Sequence, residues 1–280
     1  STDSAGRSYQ LGSQRALNAA LSQQKEALER DAGEFKPLAE RLHSYQRRAD
    51  DAARQARTIH SAAAVGPQML GSAAPRRYLI GFASPAEVRA TVGVMGNYAV
   101  ITIDHGSISR TEFGRINDLT DELAVNPFTL RAAGEFHAHY GDFGAGTGDD
   151  APASPAFISN VTMTPDMPSV GPLFAQLWVA AGHQAVDGVI ILDPAALAGL
   201  LEATGPVVVP GLEQPLSLTT VEQFLLLDQY ALDTPERRDL LEDVANATLD
   251  AVLGGSLPAP QHLADDLGPA AAGGHLLMWS

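Results

Sequence analysis

Apolar residues recur every seven positions at Leu21, Leu28, Phe35, Leu42, Ala49, Ala56 and Ala63, and Leu17, Leu38, Tyr45, Ala52 and Ile59 fill the second apolar position of the same heptad. A stripe of that period runs along one helix face, so residues 15–65 are expected to form an amphipathic arm within an N-terminal unit of residues 1–65. Gly33 and Pro37 interrupt it, because glycine loosens a helix and proline removes a donor and clashes with the preceding turn. One kinked helix and two helices both fit. Gln24 and Asp31 at seam positions weaken a coiled coil, which leaves the stripe two uses: packing on the protein's own body or self-association.

From residue 66 onward the pattern shortens to strand-like runs. Tyr78–Phe82 reads as a short apolar strand, and 98–103 with 107–113 flank Asp104-His-Gly-Ser, where Gly106 supplies the positive φ of a hairpin turn. Residues 141–157, rich in Gly, Asp, Ala and Pro, are expected to be an exposed, mobile loop. A helix is expected over 169–181, after Pro168. Val186–Leu192 is a nearly all-apolar strand; Asp193-Pro194 reads as an N-cap with proline at the first helical position, and Gly205-Pro206 ends that helix before a strand at 207–209. Strand, helix and strand in so short a span predict a βαβ unit with a parallel strand pair. Further helices are expected from Thr219 with Glu222 as a capping box, from Thr234-Pro235 to Gly254-Gly255, and over 259–267, before a strand at 275–279. The fold class that follows is α/β (α+β): a mixed central sheet with a βαβ unit, flanked by helices, over residues 66–280.

Composition narrows the function. The chain has 280 residues, 45% of them apolar, and lacks an apolar run long enough to span a bilayer. It has no cysteine, which excludes disulfides, thiolate metal sites and a cysteine nucleophile. Residues 1–131 hold 16 basic and 14 acidic side chains, whereas residues 132–280 hold 2 and 19. Nucleic acid is therefore not expected as a partner, and an anionic ligand should seek the first half. Phosphate-loop, dinucleotide-binding and serine-elbow motifs are all missing.

Two clusters carry candidate chemistry. In Glu135-Phe-His137-Ala-His139, alternate residues of a strand would point one way, and two imidazoles with a carboxylate could hold Zn²⁺; a plain surface strand explains the same residues. The second cluster is Arg76, Arg77, Arg89, Arg110, Arg115 and Arg131, since guanidinium groups suit bidentate contacts to phosphate. Arg89 follows Glu87 just past a strand end, where α/β sheets present ligand-binding groups. Salt bridges to Glu87 or Asp118 are the structural alternative.

Three stretches read together as a signature: Arg77-Tyr-Leu-Ile-Gly-Phe-Ala-Ser-Pro-Ala-Glu87-Val-Arg89-Ala-Thr, Asn160-Val-Thr-Met-Thr-Pro-Asp166, and Val186-Asp-Gly-Val-Ile-Ile-Leu-Asp193-Pro leading to Ala203-Thr-Gly-Pro-Val207. With Leu276-Leu-Met-Trp279-Ser they resemble, over residues 65–280, an actinobacterial cell-envelope family known as domain of unknown function 4012. That resemblance implies an extracytoplasmic body behind an upstream membrane helix and stalk, with a further domain after the present chain. More weakly, Tyr78–Phe82, Gly114-Arg115-Ile-Asn-Asp118 and residues 186–209 resemble the LytR-CpsA-Psr envelope phosphotransferases, which move glycopolymers from a polyprenyl pyrophosphate carrier onto peptidoglycan. This second resemblance implies Arg89 and Arg115 as ligand-binding groups, Mg²⁺ on the pyrophosphate and a carboxylate positioning the attacking hydroxyl. Where those enzymes carry two Asp residues, this chain has Ala83-Ser84 and Val92-Gly93, so Glu87 and Asp118 are the candidate catalytic carboxylates. Three functions follow: an envelope protein binding a polyprenyl-linked or cell-wall glycan ligand, with or without transfer; a non-catalytic scaffold contacting partners or itself through residues 15–65; and a metal-dependent wall-glycan hydrolase using His137 and His139. The first predicts an apolar groove ending at Arg89 and Arg115, the second an Arg89 locked in salt bridges and no groove.

Overall fold

A computed structural model describes residues 18–26, 43–50, 53–54, 64–254 and 260–280. The chain divides into two units, Ser1–Gly66 and Pro67–Ser280. In the first, the described residues of the expected arm are helical, and Leu21 and Tyr45 are exposed. Gly33, Pro37 and most of the heptad positions lie outside the described residues.

The second unit is built on one five-stranded sheet: β1 (Arg76–Ser84), β2 (Val94–Asp104), β3 (Ser107–Arg115), β4 (Gly188–Leu192) and β5 (Leu276–Trp279), in the order β3-β2-β1-β4-β5. Only β1 and β4 run parallel; the other neighbours are antiparallel. Helices α1 (Ile116–Leu123), α2 (Gly134–Tyr140) and α3 (Met167–Ala180) precede β4, and α4 (Pro194–Thr204), α5 (Val221–Leu226), α6 (Thr234–Gly254) and α7 (Pro260–Ala272) follow it. Because strand side chains alternate, each central strand feeds two cores. Leu79, Tyr98, Val100, Val189 and Ile191 pack on one face with α1 and α3 around Trp178 and Phe174. Tyr78, Ile80, Ala99, Ile101 and Leu192 pack on the other with α4, α5 and α6. The result is the mixed α/β sheet flanked by helices.

Local chemistry explains most boundaries. The β2–β3 hairpin turns through His105 at φ 47° and Gly106 at φ 80°, the paired positive dihedrals of a type I′ turn. Asp187 accepts from the Arg77 backbone N–H at 2.8 Å and from Arg76 Nη1 at 2.9 Å, which fastens the entry to β4 onto the start of β1. Asp193 caps α4 by accepting from Ala195 and Ala196 N–H, and its second oxygen meets His275 Nδ1 at 2.7 Å.

Four expectations change. The helix expected over 169–181 begins earlier, at Met167, because Asp166 caps it through Ser169 N–H. The strand expected at 207–209 reduces to a single bridge from Val207 to Leu216, with Val208 77% exposed. Pro206 and Pro210 frame those three residues and deprive a ladder of donors. The parallel pair exists, but its partner strand is β1, reached through α3. Glu135–His139 is helical, not extended. Residues 141–157 are pinned rather than exposed throughout: Ala145 is fully buried, Ser154 N–H donates to Gly144 O, and Ala153 N–H to Phe128 O. Small residues let this segment lie close against its neighbours.

The Asp166 carboxyl is held below the usual carboxylate range, first by the Ser169 hydroxyl and then by the Thr164 hydroxyl. A depressed folded value stabilises the protein above the unfolded pKa of about 3.9 and is lost as pH falls through the folded value. Asp166→Ala should cost about 1 kcal/mol at pH 7. In thermal unfolding followed across pH, the gap between variant and wild type should narrow as pH falls below the unfolded value of about 3.9.

Candidate functional site

Strand β1 leads to β2 on one side of the sheet, while β4 leads to β5 on the other, so the boundary between β1 and β4 is a topological switch point. Connections that part in opposite directions leave a crevice beyond the strands' carboxyl ends, where open α/β sheets take ligands. A cavity of about 410 Å³ lies there. Its wall is formed by Phe82, Ala83 and Ser84 at the end of β1, Val94–Asn97 at the start of β2, Pro194 and Leu197 of α4, Leu225 of α5, Gln229 and Tyr230, and Leu241, Val244 and Ala245 of α6. Four guanidinium groups enter this largely apolar wall: Arg89, Arg115, Arg237 and Arg238. Glu87 is the one acidic residue in the lining.

Arg89 sits on the loop joining β1 to β2, and that loop is clasped to the 3₁₀ segment Pro155–Met163. Thr91 N–H donates to Thr162 O at 2.9 Å, Thr162 Oγ1 to Gly93 O at 2.8 Å, and Thr91 Oγ1 to Thr164 O. Arg89 Nη2 donates to Asn160 Oδ1 at 3.1 Å and Nη1 to Val88 O at 2.9 Å. Gly93, at φ +95°, passes so close to Ser84 that an added Cβ would lie 2.0 Å from its carbonyl oxygen, which leaves room only for glycine. The first two signature stretches are thus two halves of one clasp. Thr91, Thr162 and Thr164 hold the loop that carries Arg89, and Asn160 bonds Arg89 itself.

Arg115 and Arg89 reach the same cavity on different terms. Arg115 meets Asp239 at 2.7 Å and Glu242 at 2.7 Å on α6, and these partners, Asp239 foremost, hold its guanidinium in the charged form above its ordinary value. Arg89 has no carboxylate partner among the described residues. Asp118 accepts the Arg115 backbone N–H at 3.2 Å in the first turn of α1 and is not in the cavity wall, whereas Glu87 is exposed at its edge.

The remaining arginines of the sequence cluster serve the frame. Arg76 pairs with Asp187, Arg77 Nη1 donates to Gln184 O, Arg110 binds Asn246 and Asp250 of α6, and exposed Arg131 lines a separate hollow beside Pro168 and Phe136. Arg237 and Arg238, the two arginines of the acidic half, complete the cavity instead. Arg237 lies over the Tyr230 ring at 5.1 Å. Sequence reasoning missed them because, as the two Lys or Arg residues of 132–280, they gave no sign that α6 folds back on β3.

The two histidines do not converge. Residues two apart on a helix point to opposite sides. His137 is buried, with Nδ1 2.9 Å from Gly146 O and Nε2 3.0 Å from Asp149 Oδ1, while His139 Nδ1 faces Glu135 O at 2.7 Å. Among the described residues no group of three or more His, Asp or Glu is placed to hold a metal ion. Mg²⁺ on a phosphate is held by one or two carboxylates together with phosphate oxygens, and Glu87 is the one carboxylate that this wall offers.

A family model described as protein of unknown function (DUF4012) matches residues 73–230, more than half of the chain. The chain is a DUF4012 protein. The match takes in β1 to β4, the clasp, Ser84, Glu87, Arg89, Arg115 and Asp118, and ends before Arg237. No curated protein matches the sequence. Among solved structures, the DUF4012 protein is similar to Bacillus subtilis TagV at 11% identity and TM-score 0.39, covering 73% of each chain. It is similar to gbs0355 from Streptococcus agalactiae at 13% identity and TM-score 0.38, covering 73% of this chain and 68% of the other. For TagT bound to LI-WTA the values are 9%, 0.35, 73% and 68%. TagV and TagT belong to the LytR-CpsA-Psr group. Similarities of this size carry no inference about the site.

Removing the Thr162 hydroxyl tests the clasp. Thr162→Val keeps the shape but leaves the Gly93 carbonyl unpaired, and should destabilise the protein by about 1–3 kcal/mol in denaturant unfolding. Hydrogen exchange should quicken at residues 85–93 before it does in the sheet.

Proposed function

We propose that this DUF4012 protein is an extracytoplasmic, membrane-anchored cell-envelope protein whose cavity binds an amphipathic, phosphate-bearing ligand: a polyprenyl-linked or cell-wall glycan precursor. The observation that carries the reading is the cavity itself, an apolar crevice at the β1/β4 switch point with Arg89, Arg115, Arg237 and Arg238 in its wall. Guanidinium groups neutralise phosphate and orient it through paired donors. Apolar side chains of α4, α5 and α6 suit the hydrocarbon part of such a molecule, and the volume falls within the range of about 300–1,000 Å³ common to small-molecule sites. A scaffold without a ligand fits less well, since that reading expects Arg89 bound to carboxylates and no groove.

The geometry favours binding over transfer. Glu87 is the one carboxylate positioned to act on a hydroxyl brought to the cavity, and Asp118 is engaged with the Arg115 backbone. The membrane anchor and the envelope location rest on the sequence resemblance, and any contact through residues 15–65 rests on the apolar heptad stripe of that arm.

Arg89→Ala should weaken binding of a polyprenyl diphosphate about 10- to 100-fold, the loss expected for a charged hydrogen-bonding partner. Native mass spectrometry of the protein from a membrane fraction, followed by titration calorimetry, measures it. Equal retention of lipid by wild type and variant overturns the reading. Glu87→Gln should leave binding unchanged while abolishing any transfer to an acceptor glycan.

A further inference from the structure

Buried polar atoms in folded proteins nearly always have a hydrogen-bond partner, so the exceptions point to function. Among the described residues three buried side-chain atoms lack one: Arg76 Nε, Ser84 Oγ and Arg89 Nε. The first lies at the start of β1 beside Asp187. The other two lie at and beyond its end, and both residues line the same cavity.

The backbone of Ser84 and the guanidinium of Arg89 are both held in place. A register shift between Phe82 and Ala83 precedes Ser84, and such bulges re-aim the side chains that follow. The Ser84 carbonyl accepts Glu87 N–H at 3.3 Å, and the close pass of Gly93 fixes the backbone from the other side. Arg89 has one bond from each Nη atom, at 2.9 Å and 3.1 Å, which holds the guanidinium plane, and its Nε–H is the donor that is buried without a partner. Two preset donors with nothing to donate to form a receptor before any ligand arrives.

We infer that Ser84 Oγ–H and Arg89 Nε–H jointly bind one phosphate group of the ligand, Ser84 being a binding residue that no sequence motif marks. This rests on the reading of the cavity as a phosphate site, and it adds which atoms grip the phosphate. Arg237 and Arg238 lie on the α6 side of the same cavity, so the phosphate is held from the β1 side, with α6 left to contact what the phosphate carries.

The test is calorimetric titration of the full chain with geranyl diphosphate, alongside melting of the free protein. Ser84→Ala should weaken binding about 10-fold, the effect of one lost hydrogen bond to a charged group. Its melting temperature should equal or exceed that of wild type, because the substitution removes an unpaired buried hydroxyl. Wild-type affinity in Ser84→Ala, with binding lost in Arg89→Ala, overturns the role of Ser84 and leaves the cavity reading standing. A lowered melting temperature together with weakened binding marks the hydroxyl as structural and also overturns it. If the wild type itself binds no geranyl diphosphate, both readings fall.

Discussion

Everything distinctive about this molecule depends on the parallel pairing of β1 with β4. A hairpin sheet could have been completed without it, but then no switch point would exist. Asp187 secures the pairing at one end by accepting from the backbone and side chain at the start of β1, and Asp193 secures the other by capping the helix that leaves β4. Between them, Tyr78 to Phe82 run beside Gly188 to Leu192. The two acids most prominent in the third signature stretch are therefore structural, and what they define is the position of a crevice.

Charge is then divided between frame and cavity. Helix α6 is tied to β3 at two levels, through Arg115 to Asp239 and Glu242 and through Arg110 to Asn246 and Asp250. These are partly exposed pairs, and each contributes modestly in water. Their effect is geometric: they bring the one pair of arginines in the acidic half to face the clasped loop that carries Arg89. A chain of net charge −15 thereby gathers four arginines around one pocket, of which Arg115 is already paired with Asp239 and Glu242. For an anionic ligand the surroundings repel and the pocket attracts, which favours a specific fit over general adhesion.

The clasp adds rigidity where the ligand is expected. Thr91 and Thr162 use hydroxyl and backbone groups on one another's segments, Thr164 accepts the Thr91 hydroxyl at its carbonyl, and the Asn160 amide oxygen accepts from Arg89. A guanidinium held this way loses little freedom on binding, which is the usual source of affinity in small polar sites.

The strands, the hairpin turn at His105-Gly106, the cap at Asp193 and the existence of the helices of the second half were legible from residue order alone, because each depends on near neighbours: alternation, positive φ, or a carboxylate two or three residues before the N–H groups it accepts. The capping box expected at Thr219 and Glu222 is not formed, since α5 starts after Thr220 with no side-chain cap. The same local reading singled out Glu87 and Arg89 at the end of β1. It misplaced Glu135–His139 and 207–209, where short polar or proline-framed runs have no local preference strong enough to decide. It could not separate Arg115, committed to carboxylates more than 120 residues away, from Arg89, which has none among the described residues. Nor could it see that Arg237, Arg238 and the unpartnered Ser84 hydroxyl share a wall, since that follows from long-range pairing of β1 with β4 and from the fold-back of α6. Local propensity set the elements of this protein; only tertiary packing decided which charges were neutralised within the frame and which were left facing an empty space.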